Sequence, residues 1–279
     1  MFQSLAVRKA QGTQFIPDLR AAQPGGFRGK PVIADLACAP NCRACQEVCP
    51  SAAIELNGDR SPAPSFPRRR ESSTQGDGIA ACAGMTDPVA IDLGACVMCG
   101  DCAPVCPSEK LSFSNDVKLS ATTRSGLVVT AARPNIDPIK VSAELHKRFG
   151  RSLKLRSVSA GGCNGCEMEA NALSNVNFDL GRYGSDIVAS PRHADGIVLT
   201  GPISRNMAQA LQICWDAIPE PKLVIAVGAC AISGGVFADS DAIGREFLMK
   251  YPPSLYVPGC PVHPLTFISG VMDLLGMAG

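Results

Sequence analysis

The residues best suited to chemistry in this chain are its fourteen cysteines, and they are grouped. Cys38, Cys42, Cys45 and Cys49 form one group, and Cys96, Cys99, Cys102 and Cys106 a second. Cys163 and Cys166 stand as a pair, while Cys82, Cys214, Cys230 and Cys260 are single. Thiolates two or three residues apart converge on one metal centre far more readily than they build a disulfide framework. The grouping therefore predicts metal ligation, in a reducing, cytoplasmic compartment where free thiols survive until metal is inserted. The opening MFQSLAVRKAQGTQF has basic residues but no apolar stretch after them, so no signal peptide is expected.

The spacing narrows the chemistry. Cys96-x2-Cys99-x2-Cys102-x3-Cys106-Pro107 fits the bacterial two-cluster ferredoxin run, in which three thiolates of one loop cover three corners of a cubane. The fourth, just before the proline, reaches the other cluster. The first group, Cys38-x3-Cys42-x2-Cys45-x3-Cys49-Pro50, resembles the same run with its first loop widened by one residue. With the usual crossover, one [4Fe-4S] cluster takes Cys38, Cys42, Cys45 and Cys106, and the other takes Cys96, Cys99, Cys102 and Cys49. Zinc also uses C-x2-C pairs. However, both groups end in Cys-Pro-Ser, continuing Ala-Ala-Ile in one and Glu-Lys-Leu in the other, which is a ferredoxin repeat rather than a zinc ribbon. Cys82 has no partner spacing and reads as spare.

A third constellation follows. Gly161-Gly162-Cys163-Asn164-Gly165-Cys166-Glu167 comes directly after an expected strand, Cys230 follows VIAVGA, and Cys260 follows SLYVPG. Glycines let backbone approach a bulky inorganic group. Four thiolates from three strand ends suit a [4Fe-4S] cluster, and spacing alone admits zinc as well. Cys214, inside the helical pattern MAQALQICWDAI, reads as core packing.

The elements that must position these residues divide the chain. Residues 1–30 read as an N-terminal arm available to pack on a partner. Residues 31–110 form an α+β two-cluster ferredoxin-like domain, interrupted at about 58–85 by a polar, Pro/Ser/Gly-rich insert containing Arg68, Arg69 and Arg70. Residues 111–150 read as a connector. Residues 151–279 alternate strand and helix signals, with strands at about 153–158, 186–190, 196–201, 222–228 and 254–259. Helices are expected at 167–176, 205–217, 241–250 and 265–275. That alternation predicts an α/β flavodoxin-like domain built on a mostly parallel sheet, with ligands beyond the carboxyl ends of its strands.

The stretch from Arg151 to Pro264 resembles the small subunit of membrane-bound, energy-converting [NiFe] hydrogenases of the formate hydrogenlyase type. It is also similar to the 20-kDa subunit of complex I. The likeness rests on GGCNGCEME (161–169), SPRHADGIVLTGPISRNM (190–207), KLVIAVGACAISGGVF (222–237) and VPGCPVHP (257–264). It implies that Cys163, Cys166, Cys230 and Cys260 bind a third [4Fe-4S] cluster, the one nearest the partner's reaction centre. Complex I relatives use adjacent cysteines at the first pair, and the x2 spacing here favours the hydrogenase side. The resemblance also places the basic Arg192 and His193 near that cluster, with Glu169 helping to pass protons. His193 reads equally as a surface histidine, and Glu169 as an ordinary first-turn helix residue.

Together the likenesses imply an electron-transfer subunit. The partners they imply are a large [NiFe]-hydrogenase-like or complex I 49-kDa-like subunit, an electron donor or acceptor protein, and, indirectly, membrane subunits. They imply a peripheral position on the cytoplasmic side of the inner membrane. The longest apolar run, 223–237, is too short to span a bilayer and reads as a buried strand with its following loop. A net charge of +1 and 5% aromatic residues supply neither the field nor the stacking surface for a nucleic acid partner. No G-x-G-x-x-G follows any expected strand, which disfavours a dinucleotide-dependent oxidoreductase. A zinc-stabilised scaffold and a quinone-reducing relative remain as alternative readings.

Overall fold

Short strands between cysteine loops build the first half of the molecule, and longer apolar strands build the second. The computed structural model describes residues 2–11, 15–57, 59–60, 89–137, 139, 143–150 and 152–277. Cys82 and most of the expected insert lie outside the described residues. Helix α1 (Phe2–Gln11) is followed by β1 (Pro31–Ile33), the one-turn α2 (Ala44–Glu47), β2 (Ile54–Leu56), β3 (Asp59–Arg60) and β4 (Val89–Asp92). Then come β5 (Leu111–Phe113) and β6 (Val128–Thr130). β1 pairs antiparallel with β5, and β3-β2-β4-β6 form a four-stranded antiparallel sheet.

Two expectations change here. The arm carries a helix, and its residues after position 15 pack on the chain itself. Leu19 is buried in the core of the second half, and Arg20 pairs with Asp273 at 2.6 Å. The stretch expected as a connector supplies β5 and β6, because the buried run Val128-Val129-Thr130 covers the otherwise open edge of β4.

The second half runs α3 (Ala143–Phe149), β7 (Leu153–Ser159), α4 (Gly165–Ala172), β8 (Ser185–Ile187), β9 (Gly196–Thr200), α5 (Arg205–Asp216) and β10 (Leu223–Val227). It ends with α6 (Ala229–Ser233), α7 (Glu246–Lys250), β11 (Leu255–Val257) and α8 (Pro264–Leu274). Its five strands are all parallel, in the order β8-β7-β9-β10-β11. β9 and β10 are buried at every residue, the pattern of central strands covered on both faces. α5 buries Leu211 and Trp215, four residues apart, and exposes Ile213 between them, as one apolar stripe requires. α8 is buried nearly all round, and the stretch at Ser120, beside the edge of β11, packs against it; Ser120 Oγ donates to Thr266 O at 3.2 Å. After β10 the chain makes the short helix α6 rather than a loop.

One apolar core joins the halves, running from Ile33, Ile54 and Ile91 to Ile197, Leu211 and Trp215. Burying each such side chain contributes about 1.5–3 kcal/mol. Ala121 and Tyr256 exchange both backbone hydrogen bonds (3.1 and 2.8 Å), so the chain from the first half pairs on the free edge of β11. Among the described residues, no helix is long and apolar enough to cross a membrane.

Candidate metal centres

The tight loops before β2 and β5 bring eight thiols into two sets of four. Cys38, Cys42, Cys45 and Cys106 line one pocket, together with Val89, Lys110 and Leu111 (site I). Cys49, Cys96, Cys99 and Cys102 line a second, with Ile54, Ile91 and Phe113 (site II). Each group of four thus gives its last cysteine to the other site.

Backbone geometry explains how. Ala52 and Glu109, three residues after Cys49 and Cys106, both adopt positive φ (50° and 49°). The next amide then turns back onto sulfur: Ala53 N–H donates to Cys49 Sγ at 3.2 Å, and Lys110 N–H to Cys106 Sγ at 3.4 Å. The extra residue in the first loop leaves another shared feature intact, since Asn41 and Met98, each preceding the second cysteine of its group, have φ of 57° and 55°. Cys38 accordingly sits with Cys42 and Cys45.

Burial pushes the Cys45 thiol up to about 11, and the neighbouring Cys106, Cys38 and Cys42 add to it. Burial likewise pushes Cys96 and Cys102 up to about 12. Such thiols stay protonated until a cationic centre enters among them, and metal binding then releases their protons. Zinc would need four ligands within about 2.3 Å of one point. Among the described residues no group of three or more His, Cys, Asp or Glu side chains is placed to hold a single ion, and each set of four thiols lines one shared pocket, as the ligands of one cluster do. Arg28 braces the site II loop by donating to Met98 O at 2.9 Å and to Cys99 O. Gly100 (φ 84°) leaves room for its guanidinium.

The third set lies beyond the carboxyl ends of β7, β10 and β11. Cys163 and Cys166 follow β7, Cys230 lies in the first turn of α6, and Cys260 follows β11. Burial pushes Cys166 up to about 12, opposed by the Val262 N–H and reinforced by Cys260, Glu167 and Cys230. Cys230 is pushed up to about 11 by burial, then by Cys260, Cys163 and Glu167. These mutual effects put all four thiols in one group (site III), with Cys163 and Cys260 exposed. Backbone closeness is the reason for the glycines. A Cβ on Gly228 (φ 90°) would stand 2.7 Å from Cys166 Sγ, and one on Gly201 (φ 78°) would strike Gly161 O.

Glu169, half-buried on α4, has its carboxyl pushed up by burial. Arg192 and His193 are exposed on a single 3-10 turn (Pro191–His193) leading into the amino end of β9. The carboxylate tied into site III is Glu167, which accepts a hydrogen bond from Thr200 Oγ1 at 2.7 Å. Sequence reasoning missed Glu167, Thr200, Arg28 and Lys110. A signal for Glu167 was its adjacency to Cys166, and one for Lys110 was its departure from the repeat. Cys214 packs against the core, its thiol pushed up by burial and lowered by Arg156.

Sites II and III approach each other through packed residues. Gly94, two positions before Cys96, lies so close to Ile232, two positions after Cys230, that a Cβ would stand 2.7 Å from its Cγ2. Arg124 pairs with buried Asp92 in the turn before Cys96, and Arg245 Nη1 donates to Ala231 O at 3.0 Å on α6.

Residues 163–274 match the family described as NADH ubiquinone oxidoreductase, 20 Kd subunit, and residues 37–110 match a 4Fe-4S dicluster domain. Over 130 residues the chain is 38% identical to a "probable membrane-bound hydrogenase subunit" of Pyrococcus furiosus, covering 47% of this chain and 78% of that protein. It is 39% identical to formate hydrogenlyase subunit 7 of Escherichia coli over 49% of this chain and 54% of that one. It is 41% identical to NADH-quinone oxidoreductase subunit 6 of Thermus thermophilus, over 45% and 69%. The expected resemblance, a dicluster domain followed by a stretch similar to hydrogenase and complex I 20-kDa subunits, is what these matches show.

Proposed function

Because the chain belongs to the family of the 20 Kd subunit of NADH ubiquinone oxidoreductase and carries a 4Fe-4S dicluster domain ahead of it, we propose that it is an electron-relay subunit with three [4Fe-4S] clusters. Cys38, Cys42, Cys45 and Cys106 hold the first, Cys49, Cys96, Cys99 and Cys102 the second, and Cys163, Cys166, Cys230 and Cys260 the third. When bound, such clusters supply one-electron carriers whose potentials follow hydrogen bonds, charge and burial around the sulfurs. The chain's own residues hold the thiols, direct N–H groups at the sulfurs and exclude water from sites I and II. The observation that carries the reading is the gathering of twelve cysteines into three sets of four, with sites II and III in touch through Gly94 and Ile232.

The relay runs to or from the large subunit of a membrane-associated [NiFe]-hydrogenase-like complex, which contains the reaction centre. Exposed Cys163 and Cys260, with exposed Met168 on the α4 helix that carries Cys166, mark the face that meets that subunit. The strand order, 2-1-3-4-5 when counted from β7, supports a flavodoxin-like second domain with site III at its switch point. Glu169, half-buried on the helix that carries Cys166, is assigned to proton passage, whereas Arg192 and His193, on the turn that enters the amino end of β9, are given no part in site III. The complex sits on the cytoplasmic side of the inner membrane through its membrane subunits. A second reading, a quinone-reducing or nickel-free complex of the same wiring, is favoured by the likeness to a quinone oxidoreductase subunit.

The test is metal analysis of the native complex purified without air through this chain. About twelve iron atoms per chain beyond those of other subunits, with nickel near one per complex, is the expected result. Iron without nickel moves the assignment to the quinone-linked reading. Zinc in place of iron overturns the relay altogether.

A further inference from the structure

Sites I and II are near-copies in backbone, and they differ by one buried charge. Cys49-Pro-Ser-Ala-Ala-Ile and Cys106-Pro-Ser-Glu-Lys-Leu superpose in sequence so that Ala53 corresponds to Lys110. Both residues follow a positive-φ position, both turn their N–H onto the preceding cysteine sulfur, and both line the void of the opposite cysteine group. Site I also receives the Gln46 N–H at Cys45, and site II the Met98 N–H at Cys96 and the Asp101 N–H at Cys99, where the Asp101 carboxylate acts in the opposite sense.

Ala53 brings no charge to site II. Lys110 brings an ammonium to site I, on a residue only 3% exposed. Its Nζ is held by Leu36 O at 2.7 Å, the carbonyl two residues before Cys38. A buried lysine is rare, because desolvating its charge costs several kcal/mol unless an opposite charge or good hydrogen bonding offsets it. A cluster held by four thiolates carries net negative charge, and adding an electron increases it, so a fixed cation stabilises the reduced form most. Arg28 at site II does not balance this. Both cations are held by loop carbonyls, but Arg28 is exposed, where water and salt screen its charge, whereas Lys110 is buried.

We propose that Lys110 makes the two dicluster-domain sites electrically unequal, setting the site I cluster at a higher reduction potential than the site II cluster. The relay then has a built-in slope within the first domain, with the electron resting preferentially at the site farther along the chain's packing from Gly94 and Ile232. This inference rests on the three-cluster reading above, and it adds a residue that ligates nothing.

The experiment is a redox titration of the full complex, followed by the paramagnetic signals of the reduced clusters. The site I signal is identified as the one lost in Cys42→Ser. In the wild type, site I is expected to titrate above site II. Lys110→Met keeps the length and removes the charge. It is expected to shift the site I equilibrium toward the oxidised form on the order of tenfold, about 59 mV for a one-electron couple, leaving site II unmoved. Lys110→Gln is expected to do the same, and Lys110→Arg to stay near the wild type; if the methionine variant does not load with iron, the glutamine variant carries the comparison. Equal potentials in the wild type, or an unmoved site I in a loaded, uncharged variant, overturns the role of Lys110 while leaving three clusters standing. Absence of the cluster signals from wild-type protein overturns the relay reading instead.

Discussion

Thr200, the last residue of β9 and fully buried, donates its hydroxyl hydrogen to Glu167 Oε1 at 2.7 Å. The bond ties the central strand of the parallel sheet to the first turn of α4, which carries Cys166. It also holds a carboxylate where it acts on both Cys166 and Cys230. A fixed negative charge beside a cluster opposes its reduction. Glu167→Gln is therefore expected to raise the site III potential with iron content unchanged. Thr200→Val leaves the carboxylate without its buried donor and is expected to cost about 1–3 kcal/mol, read as a lower denaturation midpoint. An unmoved potential in Glu167→Gln would remove this residue from the cluster's surroundings.

Crossover between the cysteine groups has a signature that linear grouping lacks. Cys49→Ser should abolish the same paramagnetic signal as Cys96→Ser, and Cys106→Ser the same signal as Cys45→Ser. Each should lower iron by about four atoms per chain. Cys49→Ser and Cys45→Ser acting on one signal would mean that each group keeps its own cluster.

At Gly228 the backbone adopts φ of 90° and passes within a methyl group's reach of Cys166 Sγ. Gly228→Ala adds both backbone strain and a 2.7 Å contact. Its expected consequence is selective loss of the site III cluster, with iron falling from about twelve to about eight atoms per chain. Gly25→Ala, whose added Cβ meets nothing within 4 Å, serves as the control.

Asp92 is 1% exposed, and its carboxylate accepts from Arg124 Nη1 at 2.5 Å, from Arg124 Nη2, and from Gly94 N–H at 2.9 Å. Arg124→Ala strands that charge, at an expected cost of about 3 kcal/mol. Because the pair braces the turn between Cys96 and α6, the electronic coupling between sites II and III should weaken too. Rapid-freeze reduction kinetics would show this as slower filling of site III.

His263 caps α8, its Nδ1 accepting from Leu265 N–H at 3.1 Å, and burial pushes its pKa below the usual 6.5. The folded protein thus binds fewer protons here than the unfolded chain, so this contribution to stability rises with pH and declines as pH falls below about 6.5. His263→Asn keeps a capping oxygen and is expected to flatten that part of the profile between about pH 8 and 5. The check is the difference in denaturation midpoint between wild type and variant across that range; identical slopes would exclude the histidine.

Much of the site was legible because thiol spacing is a local property. A loop of two intervening residues can present three sulfurs to one centre wherever it is placed, so the cysteine groups, the Cys-Pro ends and the pair after the first parallel strand could be read from the chain alone. The parallel strands were legible for a similar reason. Short apolar runs such as Leu223–Val227, rich in β-branched residues and ending at a glycine, suit a strand covered on both faces, and all five expected strands form.

Other features depend on which segments meet. β6 is three residues long and has no pattern of its own; the free edge of β4 makes it a strand. Helix α1 lacks a legible period, and the later arm residues are placed by Leu19 and Arg20 reaching α8. Local sequence thus determined the cysteine groups, the parallel sheet and the kind of chemistry. Tertiary structure decided that Glu167 rather than Glu169 is anchored by Thr200, that Lys110 is buried against one set of thiols, and that Gly94 touches Ile232. Those three depend on residues 33, 74 and 138 positions apart in sequence being packed together. Spacing along a chain governs only what one loop can reach, whereas burial and long-range contact follow from how the sheets pack.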